Sequence, residues 1–182
     1  PGAGVSGSAN AGDAENPADI ADIADPTEQS LSFGAVADAY DALRPDYPAP
    51  PARWLLGQDD PADGRRLRVL DLGAGTGKLT ATLVGLGHDV LAVDPDPAML
   101  DRLRTVLPGV DASVGTAEAI PLADESVDAI TVAQAWHWVE PVAATAECAR
   151  VLRPGGLLGI VWHERDESVP WVRELAEIVG RT

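Results

Sequence analysis

Between residues 68 and 162 the chain alternates short apolar runs with stretches in which apolar residues recur every three or four positions. A short apolar run suits a strand buried on both faces, and the longer spacing suits one face of a helix. Strands are predicted over 68–72, 89–93, 110–114, 127–133 and 157–162. Helices fill the gaps. The stretch 78–86 carries Leu79, Leu83 and Leu86 on one face, 98–107 carries Met99, Leu103, Val106 and Leu107, and a third helix covers 142–152. Pro97 fits a first helical position with Asp96 as its cap. Arg153-Pro154-Gly155-Gly156 reads as a turn between the third helix and the fifth strand. Such alternation predicts an α/β fold, a parallel sheet with crossover helices on both faces. Ligands of such sheets bind outside the carboxyl ends of the strands, at the point where strand order reverses.

Upstream, Phe33, Val36, Tyr40 and Leu43 recur at helical spacing until Arg44-Pro45 stops the run, and a second helix is predicted over 51–56. Residues 58–66 form a loop rich in Asp, Pro and Gly. At the other end, 169–180 places Trp171, Leu175 and Ile178 on one helical face. Residues 1–30 contain no aromatic residue, and all their charges are acidic. A segment like that buries too little apolar area to offset its ordering entropy, so a disordered acidic tail is expected before one domain over 31–182. The repeated Ala-Asp-Ile of residues 18–23 reads as solvated linker or as a partner motif.

Composition narrows the function classes. A net charge of -16 repels phosphate backbones, which excludes nucleic acid as a broadly held partner and favours a small acceptor. Cys148 has no second cysteine to pair with, and inside an apolar helical pattern it reads as a packing residue. No apolar run reaches the length of a membrane span or follows a basic leader, so a cytoplasmic protein without membrane attachment is expected. His88, His137 and His163 show no ligand spacing, and no metal site is predicted.

The densest chemical signal follows the first strand, where Asp71-Leu72-Gly73-Ala74-Gly75-Thr76-Gly77-Lys78 turns tightly into a helix. A dinucleotide fingerprint would place its third glycine where Lys78 stands. A Walker loop would need glycine at Leu72 and a hydroxyl at Leu79. Gly-x-Gly-x-Gly with an acid two residues before its first glycine instead resembles the first motif of class I S-adenosylmethionine-dependent methyltransferases. That resemblance implies that Gly73, Gly75 and Gly77, with Ala74 among them, make room for the methionine part of the cofactor, and that Asp71 favours its ammonium. Asp94, closing the second strand, would accept hydrogen bonds from both ribose hydroxyls.

Gly115-Thr116-Ala117-Glu118-Ala119-Ile120-Pro121 is similar to the family segment that lines the adenine, which implies contacts from Thr116 and Ala117. The alternative is a loop capped by Thr116, with Glu118 as a capping acid. Met99 and Glu118 complete the cofactor-binding candidates together with Gln134 and Ala135, which by resemblance lie beside the methyl donor. Gln134-Ala135-Trp136-His137-Trp138, the run from Tyr40 to Pro48, and Arg150 to Gly156 resemble the type 11 methyltransferases, above all their trans-aconitate-methyltransferase-like members. Tyr40, Arg44 and Tyr47 would then form part of a lid. Trp136 and Trp138 are read either as site residues or as packing at a strand end.

The activity so implied is in-line transfer of a methyl group from S-adenosylmethionine to a small-molecule acceptor. His137 is a candidate general base for a hydroxyl or amine acceptor, or a rim residue without catalytic duty, while Arg44 is a candidate for steering a carboxylate. The family sheet continues with two strands beyond the fifth, which are not found before Thr182. A truncated chain is therefore expected, with a fifth-strand edge covered by a missing segment, a homodimer or another partner. Two alternatives remain: a cofactor-binding module that acts through a partner chain, and a nicotinamide-dependent oxidoreductase, against which Lys78 counts.

Overall fold

The computed structural model describes residues 46–58, 60, 64–164 and 166–179. The predicted tail over 1–30, the predicted helix bearing Phe33, Val36, Tyr40 and Leu43, and Arg44 lie outside the described residues. Five strands, β1 (Arg68–Leu72), β2 (Asp89–Asp94), β3 (Asp111–Val114), β4 (Val127–Ala133) and β5 (Leu152–Val161), pair in parallel in the order β3-β2-β1-β4-β5. The helices are α1 (Ala49–Leu55), α2 (Lys78–Gly85), α3 (Pro97–Val106), α4 (Pro141–Val151) and α5 (Pro170–Val179), with a 3-10 turn over Trp136–Trp138.

A central parallel strand is buried on both faces, and that is why β1 reads as an apolar run. One sheet face carries Leu70, Leu72, Leu91, Val93, Ile130 and Val132 against Ala144, Cys148 and Val151 of α4. The other carries Val69, Val90 and Ala129 against Ala52 and Leu55 of α1 and Leu79 and Leu83 of α2, while α3 lays Leu100 and Leu103 over Ala92. Burying each such leucine contributes about 1.5–3 kcal/mol. As predicted, Asp96 caps α3, its Oδ1 accepting from the Ala98 N–H at 2.8 Å, and Cys148 is a core residue.

The chain runs from β1 outward through β2 to β3, then crosses back to place β4 on the opposite side of β1. Strand order therefore reverses at β1, and the cleft outside the carboxyl ends of β1 and β4 is the place for a ligand.

The fifth strand departs from expectation. It starts at Leu152, and Arg153-Pro154-Gly155-Gly156 is a bulge within it: Val127 pairs with Leu152, but Ala129 pairs with Leu157. Gly155 supplies the positive φ of 80° this requires, and Arg153 Nη1 donates to Asp128 Oδ1 at 2.6 Å across the irregularity. Among the described residues β5 pairs only with β4, and Leu157, Trp162 and the Trp171, Leu175 and Ile178 face of α5 are exposed.

Candidate functional site

The bend between β1 and α2 is bound to β2 before any ligand is considered. The Gly73 and Ala74 N–H groups both donate to the Val93 carbonyl, at 2.8 and 3.1 Å. The three glycines then divide by role. A Cβ on Gly73 (φ 71°) would stand 2.5 Å from the Ala135 Cβ, so this glycine lets the β1 bend touch the end of β4. A Cβ on Gly77 (φ 92°) would meet Leu103 of α3 at 2.9 Å. Only Gly75 (φ 55°) has nothing within 4 Å of where its side chain would be. All three were predicted to make room for a ligand; Gly73 and Gly77 make room for the protein itself, and Gly75 opens outward.

Two carboxylates flank this bend and are held differently. Asp94 Oδ2 accepts from the Gly75 N–H at 2.8 Å, and its Oδ1 accepts from the Asp96 N–H at 2.9 Å. Burial raises its pKa above the ordinary carboxyl range despite these two donors. Each oxygen keeps a lone pair for a further donor. Asp71 lies fully inside the sheet, beside its register partner Thr131. Its Oδ2 accepts from the Thr80 hydroxyl of α2 at 2.6 Å, and its Oδ1 from the Thr131 hydroxyl of β4 at 3.2 Å. Burial pushes its pKa up to about 6, the two hydroxyls oppose that rise, and the nearby charge of Asp94 adds to it. Asp71, expected to favour a ligand ammonium, is a buried charge engaged from both sides beneath the bend.

The residues predicted on the opposite wall are distributed as follows. Thr116 and Ala119 form an isolated antiparallel bridge, which turns Ala117 into the core. Glu118 reaches away to accept from the Glu140 N–H at 2.8 Å, and Glu140 itself caps α4 through the Val142 and Ala143 N–H groups. Glu118 thus serves as a brace between two segments rather than as a capping acid of its own turn. Gln134 follows β4 in the left-handed region at φ 58°, and its buried Nε2 has no hydrogen-bond partner. Met99 is 4% exposed in the first turn of α3, a packed side chain.

One further assignment changes. Tyr47, predicted in a lid, belongs to the core cluster under α1 and α2 and stacks on His163 with ring centroids 4.7 Å apart. Trp136 packs on the core, and His137 stands exposed on the rim with its ring tilted against Trp138. Among the described residues no three His, Cys, Asp or Glu side chains gather as a metal site, and no helix is long and apolar enough to cross a membrane.

Sequence reasoning missed Thr80 and Thr131. Their signal was available: each is a hydroxyl in an otherwise apolar buried run, and a buried hydroxyl requires a partner. It also missed Arg150, which donates to Glu147, Asp124 and the carbonyls of Ile120 and Leu122, so that the segment after β3 is bolted to α4. The pairing with Glu147, three residues earlier on α4, is local, but nothing local in the sequence joins Arg150 to Asp124, Ile120 or Leu122.

An S-adenosylmethionine molecule needs an acceptor for its ribose diol, open space beside the glycine bend and a negative field for its ammonium. Asp94 with free lone pairs, the open side of Gly75 and two buried carboxylates meet these needs, and the unpartnered Gln134 Nε2 offers a donor at the same end of the sheet. Comparison with known proteins agrees. Residues 70–160 match the profile of a family described as "Methyltransferase domain". An uncharacterized methyltransferase of Mycobacterium tuberculosis is 62% identical over 154 residues, a match covering 85% of this chain and 61% of that protein. The malonyl-[acyl-carrier protein] O-methyltransferase of Methylococcus capsulatus is 42% identical, covering 77% of this chain and 54% of that one. The crystal structure of an S-adenosylmethionine-dependent methyltransferase from Mesorhizobium loti superposes with a TM-score of 0.50 at 28% identity, over 60% of this chain and 52% of that one. The chain thus spans little more than half the length of these relatives. Its matched profile, its relatives and its reversed parallel sheet all lead to one statement: the chain belongs to the methyltransferase domain family, on the class I Rossmann-like fold.

Proposed function

We propose that the chain is an S-adenosylmethionine-dependent methyltransferase that transfers a methyl group to a small-molecule acceptor by in-line displacement. The observation that carries this reading is the hydrogen bond from the Gly75 N–H to Asp94 Oδ2, which joins the open glycine of the bend to a carboxylate placed to accept from a ribose. When bound, the cofactor supplies an activated methyl group on its sulfonium. The chain's own residues then hold and align. Asp94 fixes the ribose, Gly75 leaves the space, and Gln134 and Ala135 border the donor side. Precise alignment of two reactants is worth roughly 7 to 11 kcal/mol of a barrier.

A carboxylate acceptor fits best. It needs no general base, which suits an exposed His137, and Arg44 would steer it. The Methylococcus capsulatus relative is named for O-methylation of malonyl-[acyl-carrier protein], which supports an oxygen acceptor of acyl type, there carried on a protein. The acidic net charge supports a reading without a nucleic-acid partner.

One set of observations favours a second reading. Among the described residues β5 pairs only with β4 and the Trp171, Leu175 and Ile178 face of α5 is exposed, as in a cofactor-binding module that acts through a partner. Calorimetric titration with S-adenosylmethionine, followed by assay of S-adenosylhomocysteine over a panel of small carboxylic acids, separates the two. Binding with product supports the enzyme, binding without product supports the module, and absence of binding overturns both.

A further inference from the structure

Beyond Ala135 the cleft has a further rim, on the α1 and α2 side of the sheet. Ala133 pairs with Val161, and the Gln134 N–H donates to the Val161 carbonyl at 2.9 Å, so Ala135 and His163 leave neighbouring strands at the same level. Parallel strands run about 4.8 Å apart. Ala135 touches the glycine bend at Gly73, and His163 therefore stands one strand further from that bend, on the side away from Asp94. Its imidazole is exposed, and its face rests on the Tyr47 ring, with centroids 4.7 Å apart and planes 20° from parallel. Tyr47 is fixed in turn. It is buried, its carbonyl accepts from the Thr82 hydroxyl of α2 at 2.7 Å, and the adjacent Asp46 pairs with Lys78 at the start of α2 at 3.0 Å. A continuous rim thus runs from the start of α2 through Asp46 and Tyr47 to the end of β5. Stacking engages the face of the imidazole and leaves its edge, which carries both nitrogens, clear of the tyrosine.

We propose that His163 determines acceptor specificity, donating a hydrogen bond from its ring edge to the carboxylate oxygen that is not methylated. This rests on the reading of the chain as a methyltransferase of small carboxylates. In the transfer, one carboxylate oxygen forms a bond to the methyl carbon while the carbon–sulfur bond breaks and its electron pair passes to sulfur. An ester and a neutral thioether result, and no proton moves. The carboxylate therefore loses its negative charge as the reaction proceeds. A full cation held against it would favour the bound acid over the transition state and slow the step. An imidazole N–H orients the acid with a weaker hold. The oxygen it binds becomes the ester carbonyl, an acceptor before, during and after transfer, so one donor serves throughout. Tyr47 supplies the rigidity, since a ring held against a buried aromatic keeps its donor in place, and alignment is what this reaction requires of the protein.

The test is calorimetric titration of malonate, succinate and benzoate into the chain saturated with S-adenosylhomocysteine, followed by turnover of those that bind with S-adenosylmethionine. Two substitutions separate the two duties of the ring. His163→Phe keeps the stack on Tyr47 and removes the donor, whereas His163→Gln removes the stack and keeps a donor. A hydrogen bond to a charged group is worth roughly 10- to 100-fold in affinity. His163→Phe should weaken carboxylate binding and raise the acceptor KM by that factor, with melting temperature and cofactor affinity unchanged, and His163→Gln should recover most of the loss. His163→Arg should bind the acids more tightly and turn them over more slowly. A His163→Phe variant that binds the acids as the parent does would assign the ring to packing alone and overturn the proposal. Absence of binding by all three acids, in a chain that holds S-adenosylhomocysteine, would also overturn it while leaving the cofactor reading intact. A chain that holds neither S-adenosylhomocysteine nor S-adenosylmethionine would overturn the cofactor reading itself.

Discussion

The bend after β1 and the segment after β3 lie at the same end of the sheet, and both were expected to border the cofactor, yet they are fixed by opposite means. The first is held by backbone: two N–H groups on the Val93 carbonyl, one on Asp94, and a glycine touching Ala135. The second is held by side chains from behind, with Arg150 reaching two acids and two carbonyls and Glu147 accepting from the Ile120 N–H at 2.9 Å. Where a ligand must approach closely, bulk is excluded, and the anchors are main-chain groups and absent side chains. Where only a wall is needed, long charged side chains serve. Substitutions in the first region should therefore strike binding, and those in the second should strike stability.

The sharpest break is Gly73→Val. Positive φ and a Cβ 2.5 Å from Ala135 combine strain with overpacking, each of order 1–3 kcal/mol, so a loss of S-adenosylmethionine affinity of roughly 100-fold or more is expected by calorimetry. Gly73→Ala with Ala135→Gly should recover part of it, since only the strain remains. Next in size is Asp94→Ala, which removes the ribose acceptor and the anchor of Gly75. Hydrogen bonds to a charged group contribute about 1.5–3 kcal/mol each, so roughly 10- to 100-fold weaker binding is expected, together with a lower melting temperature from the unpaired Gly75 and Asp96 N–H groups. An unchanged affinity would end the assignment of Asp94.

Arg150→Met should lower the melting temperature and leave affinity nearly constant. Its pH dependence is specific. The Arg150 guanidinium and the Ile120 N–H hold the Glu147 pKa down to about 2 from the ordinary 4.5. A depressed carboxyl contributes stability that is fully present above the ordinary value and lost as pH falls toward about 2. Parent and variant should thus melt further apart at pH 7 than at pH 3. The smallest effect belongs to His137→Ala, which should leave turnover of a carboxylate acceptor unchanged at every pH. Loss of turnover in that variant would restore a general base.

Strand positions were legible because burial on both faces leaves a largely apolar run, and β1 and β4 were placed to the residue. Long-range pairing was not legible. The Arg153 to Gly156 run has turn chemistry and does turn, but inside a strand, because the neighbouring β4 dictates where pairing resumes. The same limit governs the site. Gly75 and Asp94 could be read from local order, whereas the division of the glycines into packing and opening depends on Ala135 and Leu103, residues that meet them only in three dimensions. Tyr47 shows a further limit: the resemblance implied a place in a lid, and it is a core side chain.

The left-handed turn at Gln134 has a consequence for mutational tolerance. Backbone there sits at φ 58°, immediately beyond a strand rich in valine and isoleucine. In a saturation library, glycine and asparagine at this position should survive selection for folded protein, whereas valine, isoleucine and threonine should vanish from it, although the same three residues prosper one step earlier along the chain.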